Sequence, residues 1–158
     1  MKRLAILLLL IAAPAAARDT IGVYRGWGAF RDARPERCYA IARPVVASGR
    51  PEGFASIASW PARRLRASLH IHLSRPRASS AGVTLSIGER RFTLSADARD
   101  AFAPDTPTDR AIVTAMREGR SMSIEAIADT GRPFADVYTL AGAATAMDAA
   151  TLACMPQG

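Results

Sequence analysis

The chain has 158 residues, 49% hydrophobic, 6% aromatic and 22% charged, which is enough apolar content for one ordinary core and too much for a disordered chain. Its formal charge is +7 and Lys2 is its only lysine. Beyond that position a Schiff-base lysine, a Ser-Lys dyad and a phosphate-loop lysine are therefore excluded.

Residues 1–17 come first. Lys2 and Arg3 precede an apolar run over residues 4–13, and Ala15-x-Ala17 stands just before Arg18. This order of charge, apolar stretch and small-residue site predicts a cleavable secretory signal. The run is shorter than the roughly 20 residues that cross a bilayer. Cleavage leaves residues 18–158 as a single β-rich domain without a transmembrane segment, periplasmic or secreted, with 19 arginines against 14 acidic residues. A basic surface suits anionic partners, but export argues against nucleic acid.

Residues 27–30, 38–42 and 54–60 read as short strands. Leu69, Ile71 and Leu73 then alternate with His70, His72 and Ser74, and Val83, Leu85 and Ile87 with Thr84, Ser86 and Gly88; both are half-buried strands. Gly88-Glu89 turns the chain into a further strand with Phe92 and Leu94, glycine taking the corner with positive φ. A helix follows, capped by Thr106 or Thr108, with Pro107 in its first turn, Ile112, Val113 and Met116 on one face, and Gly119 at its end. Met122, Ile124 and Ala126 mark the next strand, and Phe134, Tyr138 and Leu140 the one after it. An alanine-rich helix closes the chain, with Ala143, Met147, Ala150 and Cys154 on its core side. Residues 49–53 and 76–82 are the clearest loops. Six to eight strands with two short helices predict a mainly β fold, an antiparallel β-sandwich or barrel-like domain. Cys38 and Cys154 are the only cysteines, and in an oxidising compartment an even count predicts a disulfide between them.

Chemistry is sparse in this sequence. His70 and His72 are the only histidines and share the outward face of their strand. Two ligands fall short of the three or four a zinc site takes, so no metal or other cofactor is expected. A Ser-His-Asp triad would have to use one of these histidines, and no Gly-x-Ser-x-Gly elbow presents a serine; a small periplasmic hydrolase using His70 or His72 is the alternative reading. Asp97, Asp100, Asp105 and Asp109 gather around the first helix, where capping and surface roles are expected. Arg63, Arg64 and Arg66 follow Trp60-Pro61, and Arg75 and Arg77 follow the histidine strand, so two segments able to lie side by side both carry arginine. Guanidinium groups bind phosphate or carboxylate in a fork; the same residues also serve as a solvated edge that discourages strand aggregation. The candidate binding residues are therefore Arg63, Arg64, Arg66, His70, His72 and Arg75, with no catalytic residue assigned.

In order along the chain, the signal, the tryptophan strand with Trp27, Cys38-Tyr39-Ala40-Ile41-Ala42, the passage from Asp109 through Met116-Arg117-Glu118-Gly119 to Ser121-Met122-Ser123-Ile124, and the closing Tyr138-Thr139-Leu140-Ala141-Gly142 before an alanine-rich helix resemble the invasion-associated locus B family. The resemblance implies an exported β-rich domain without established enzyme chemistry. Its expected role is a non-enzymatic envelope or interaction protein, whose partner is an envelope or host protein or an anionic envelope component.

Overall fold

The computed structural model describes residues 18–47 and 53–155. The predicted signal over residues 1–17 and most of the loop at 49–53 lie outside the described residues. Within them the chain forms β1 (Arg18–Tyr24), β2 (Trp27–Ala33), β3 (Glu36–Ala42), β4 (Val46–Ala47), β5 (Phe54–Trp60), β6 (Leu65–His72), β7 (Val83–Ile87), β8 (Arg90–Ala96), β9 (Asp100–Phe102), α1 (Thr106–Glu118), β10 (Ser121–Ile127), β11 (Pro133–Thr139) and α2 (Ala143–Ala153). The fold is mainly β, and antiparallel pairing runs β1-β2-β3-β5-β6-β9-β8-β7-β10-β11-β4. It does not close into a barrel. β8 pairs along its length with β7 but meets β9 only through Ser95 and Ala96. That narrow seam divides the array into a first sheet from β1 to β9 and a second from β8 to β4, a sandwich-like arrangement.

Eleven strands among the described residues exceed the six to eight expected. β1, β4 and β9 are the additions, and each lacks the alternating apolar pattern of a half-buried strand. β4 and β9 are two and three residues long, and β1 is an edge strand interrupted by a register shift between Thr20 and Gly22.

The core follows from period-two alternation. Trp27, Ala29, Ala40, Ala42, Ala55, Ile57, Leu69 and Ile71 line the inner face of the first sheet. Val83, Leu85, Ile87, Met122, Ile124 and Tyr138 answer them from the second. α2 packs on β1, β2 and β3, and its buried positions are Ala143, Ala146, Met147 and Ala150. Small side chains on both partners allow that close approach. Gly142, at φ 88°, starts α2 beside β1, where a Cβ would land on the Tyr24 carbonyl. Cys154 at the helix end is bonded to Cys38 on β3, with Cα atoms 5.9 Å apart and 116 residues between them in sequence.

Two buried polar ties join the sheets. Trp27 Nε1 donates to the Thr139 carbonyl at 2.8 Å. At the far end of β6, Ser74 donates to the fully buried Asp136 carboxylate from its main-chain N (2.9 Å) and its Oγ (2.5 Å). Both place a strong acceptor where a buried donor would otherwise be unpaired.

The expected threonine cap of the first helix is corrected. Asp105 is the N-cap of α1, its side chain accepting from Thr108 N at 2.7 Å. Asp105 precedes the Pro107 turn in extended conformation, and that places its short carboxylate over the free N–H groups of the first turn.

Candidate functional site

The outer face of the first sheet carries the chemistry. Register puts Phe30, Tyr39, Phe54, His70, His72 and Phe102 on this side, opposite the alanine-lined inner face. The rings pack on one another. Phe30 and Tyr39 stack at 5.6 Å, and Arg37 lies 4.4 Å over the Tyr39 ring and 5.9 Å from Trp60. Phe54 meets His70 edge-on and His72 face to face, and His70 stacks on Phe102 at 4.8 Å. Four of the ten Phe, Trp and Tyr residues, with both histidines, thus share the outer sheet face; Tyr39 is buried there, Phe30 and Phe54 are half-buried and Phe102 is exposed.

The histidine pair is held by a carboxylate that the sequence had assigned to the helix surroundings. Asp100, on β9, accepts at the same Oδ1 from His70 Nε2 (2.8 Å) and His72 Nδ1 (2.9 Å). Register explains the convergence: His72 faces Asp100 across the β6–β9 pairing, and His70 faces Phe102 beside it. Burial lifts the Asp100 carboxyl, but the hydrogen bonds from His72 and His70 outweigh it and hold the group below the usual carboxylate range. Among the described residues, no set of three His, Cys, Asp or Glu side chains is arranged to hold a metal ion.

The four aspartates grouped by sequence have separate positions. Asp105 caps α1 and Asp100 holds the histidines. Asp109 is buried on α1, where its Oδ1 accepts from Leu69 N at 2.7 Å. β9 pairs with β6 only from His70 to His72, so the helix side chain takes the N–H just beyond the end of that short strand. Burial pushes the Asp109 carboxyl up, against hydrogen bonds from Leu69 and Ser68. Asp97 bonds through its main chain, to Asp100 and to the Arg77 guanidinium.

The arginines do not form one cluster. Arg63, Arg64 and Arg66 are exposed at the hairpin between β5 and β6, in no ion pair among the described residues. Arg75 and Arg77 lie past the opposite end of β6, because residues 65–72 form a single extended strand. The two arginine segments are therefore not side by side. Arg75 is half-buried, its Nε without a hydrogen-bond partner. Arg77 donates to the carbonyls of Ala78, Ser79, Ala81, Ala96 and Asp97 and braces the loop after β6.

Among the described residues, no serine hydroxyl is hydrogen-bonded to either histidine ring. Ser56 faces His70 across the β5–β6 pairing, but its Oγ donates to the His70 main-chain carbonyl at 3.4 Å, leaving no base on the hydroxyl. A shallow depression lined by Gly82, Glu125, Ile127 and Pro133 belongs to the second sheet and contains no histidine.

A family model described as invasion associated locus B (IalB) protein matches residues 29–151, most of the sheets, all of α1 and most of α2. The chain belongs to the invasion associated locus B family. A solved structure agrees in fold: invasion associated protein B from Bartonella henselae superposes with a TM-score of 0.63 at 15% identity, covering 84% of this chain and 96% of that one. No match is found among curated proteins. The family match spans the strands that carry Phe30, Tyr39, Phe54, His70, His72 and Phe102.

Proposed function

We propose that this member of the invasion associated locus B family is an exported, non-enzymatic binding protein of the periplasm or secreted fraction, and that it meets its partner through the outer face of the first sheet and the adjoining arginine hairpin. One observation carries the reading. In a chain only 6% aromatic, Phe30, Phe54 and Phe102 join both histidines on the outer sheet face and stay at least partly exposed, and aromatic side chains are enriched at interaction surfaces. The Cys38–Cys154 bridge supports an oxidising compartment, and the N-terminal charge, apolar run and Ala15-x-Ala17 site support export. The partner class is an envelope or host protein or an anionic envelope component, with Arg63, Arg64 and Arg66 available for anion contacts.

Two measurements test the reading. N-terminal sequencing of the exported protein should start at Arg18, and full-length protein retained in the inner membrane contradicts export. Crosslinking of tagged protein in envelope extracts should recover a partner whose yield drops when Arg63, Arg64 and Arg66, or His70 and His72, are replaced by alanine. Unchanged yield in both variants removes this face as the binding surface.

A further inference from the structure

We propose that the arginine-rich end of the first sheet docks the protein on an anionic phospholipid bilayer, with Leu152 and Met155 entering the headgroup layer beside the guanidinium groups. The proposal rests on the binding-protein reading above and names one partner class, a lipid surface, for the arginine part of that face.

Antiparallel register gathers this end from distant parts of the chain. Arg18 opens β1 opposite Asp32, near the end of β2, and Asp32 faces Arg37, near the start of β3. Cys38 on β3 faces Ser59 on β5, and Trp60 faces Leu65 at the start of β6. The turn between β2 and β3 and the hairpin between β5 and β6 therefore share one end of the sheet. The disulfide brings the last turn of α2 there as well, because Cys154 is bonded to Cys38. From residue 18 onward, seven arginines and three acidic residues lie at this end, against twelve arginines and eleven acidic residues elsewhere in the chain. Four of the five net positive charges are thus collected in one place. Asp32 is shared by Arg18 (3.0 Å) and Arg37 (2.6 Å), and Glu36 pairs with Arg31 at 2.7 Å. Arg34, Arg63, Arg64 and Arg66 are exposed and in no ion pair among the described residues. The hairpin that carries three of them is fixed, Arg64 N donating to the Pro61 carbonyl and Ala67 N to Ser59 Oγ, both at 3.0 Å.

The mixture of side chains selects a bilayer. Uncompensated guanidinium groups attract an anionic partner, and these are spread along the rim of the sheet, which suits an extended charged plane better than one small anion. Leu152 and Met155 add the second requirement. They are two of the six large apolar side chains that the described residues leave exposed, at 62% and 54%, and they stand in the last turn of α2 and just beyond it. Trp60, half-buried, lies 5.9 Å from the Arg37 guanidinium. Arginine beside leucine, methionine and tryptophan is a composition that settles at the boundary of headgroups and acyl chains, where the cations meet lipid phosphate and the apolar groups leave water. A soluble polyanion would match the charge and leave Leu152 and Met155 in water. The path of the chain agrees. It enters β1 at this end, directly after the apolar run and small-residue site of the predicted signal. A signal held in the bilayer presents this end to the headgroups, and cleavage before Arg18 adds an α-amino charge in the same place.

The test is flotation of the exported chain with vesicles of phosphatidylcholine and phosphatidylglycerol, compared with pure phosphatidylcholine, at low and high salt. Binding to the anionic vesicles alone is expected, and it should fall as salt rises. Arg63→Ala, Arg64→Ala and Arg66→Ala together should weaken it about a hundredfold, at roughly fivefold for each basic residue near an anionic surface. Removing the same charge from the second sheet and its turns, by Arg91→Ala, Arg120→Ala and Arg132→Ala, should leave binding close to wild type. Leu152→Ser with Met155→Ser should weaken it about tenfold without lowering the melting temperature. The two tryptophans report orientation. Brominated acyl chains should quench the wild-type emission. Trp60→Phe leaves only the fully buried Trp27 and should abolish that quenching while the protein still floats with the vesicles. The proposal is overturned if anionic vesicles do not bind, if both arginine triples weaken binding equally, or if quenching survives Trp60→Phe. Binding of heparin without binding of vesicles would assign this end to a soluble polyanion and overturn it too. Recovery of an arginine-dependent protein partner without vesicle binding would defeat this inference and leave the broader binding-protein reading standing.

Discussion

The two faces of the first sheet are made from the same strands and have opposite characters. The inner face presents Ala29, Ala40, Ala42 and Ala55, with Trp27 and its cross-strand neighbour Tyr24 as large rings. The outer face presents Phe30, Tyr39, Phe54 and Phe102 with both histidines. Inside, small residues let α2 lie close to β1, β2 and β3, and a bridge to Cys38 secures its end. Outside, the rings cover one another by stacking; Tyr39 is buried, while Phe30, Phe54 and Phe102 keep contact with solvent. On the proposed reading, stability and recognition are separated across about one strand thickness. The inner face needs its volume filled, whereas the outer face holds large side chains of which most remain partly exposed.

That contrast can be broken most directly at Trp27. Trp27→Ala should destabilise by about 3–5 kcal/mol in urea unfolding, from the cavity and the lost hydrogen bond to Thr139. If Phe102→Ala cost as much, the proposed division between faces would fail. The bridge comes next: Cys154→Ser should lower stability by roughly 2–5 kcal/mol, the range for a native disulfide in a small secreted domain. Wild-type protein under reducing conditions should match the variant.

The two carboxylates next to β6 sharpen the comparison because their shifts have opposite signs. Asp109 is raised by burial, so its contribution is fully present below the unfolded carboxylate value and is lost as pH rises through the folded one. Asp109→Ala leaves Leu69 N–H unpaired and should cost about 1–3 kcal/mol. Asp109→Asn keeps an acceptor without the charge, and its stability should decline less than wild type between acid and neutral pH. Asp100 is lowered by its histidine hydrogen bonds; its contribution is present above the unfolded value and is lost as pH falls through the folded one. Asp100→Asn should flatten that acid limb, a small effect because the side chain is 37% exposed. Phe102→Ala should cost only about 1 kcal/mol in thermal melting, from the lost stacking on His70.

Local pattern determined much of this protein. Alternation placed β6, β7, β8, β10 and β11 because each has one face in the core, and turn chemistry marked Gly88, whose φ is 56°. Helical spacing put Cys154 on the buried side of α2, and the cysteine count in an export-like chain was enough for the Cys38–Cys154 bridge. Period two also sent His70 and His72 outward.

Tertiary structure decided the rest. β9 is three residues long and carries no periodic signal, yet it supplies Asp100 and Phe102, and its register against β6 turns two solvated histidines into a carboxylate-held pair. The aspartates near α1 look alike in sequence, since capping, burial and histidine contact are fixed by neighbours up to 40 residues away. The seam beside Phe102 exists because β8 pairs with β7 through Leu94 and with β9 only at Ser95 and Ala96. Such a seam depends on how two sheets twist past each other, a long-range balance of packing that no local window of sequence contains.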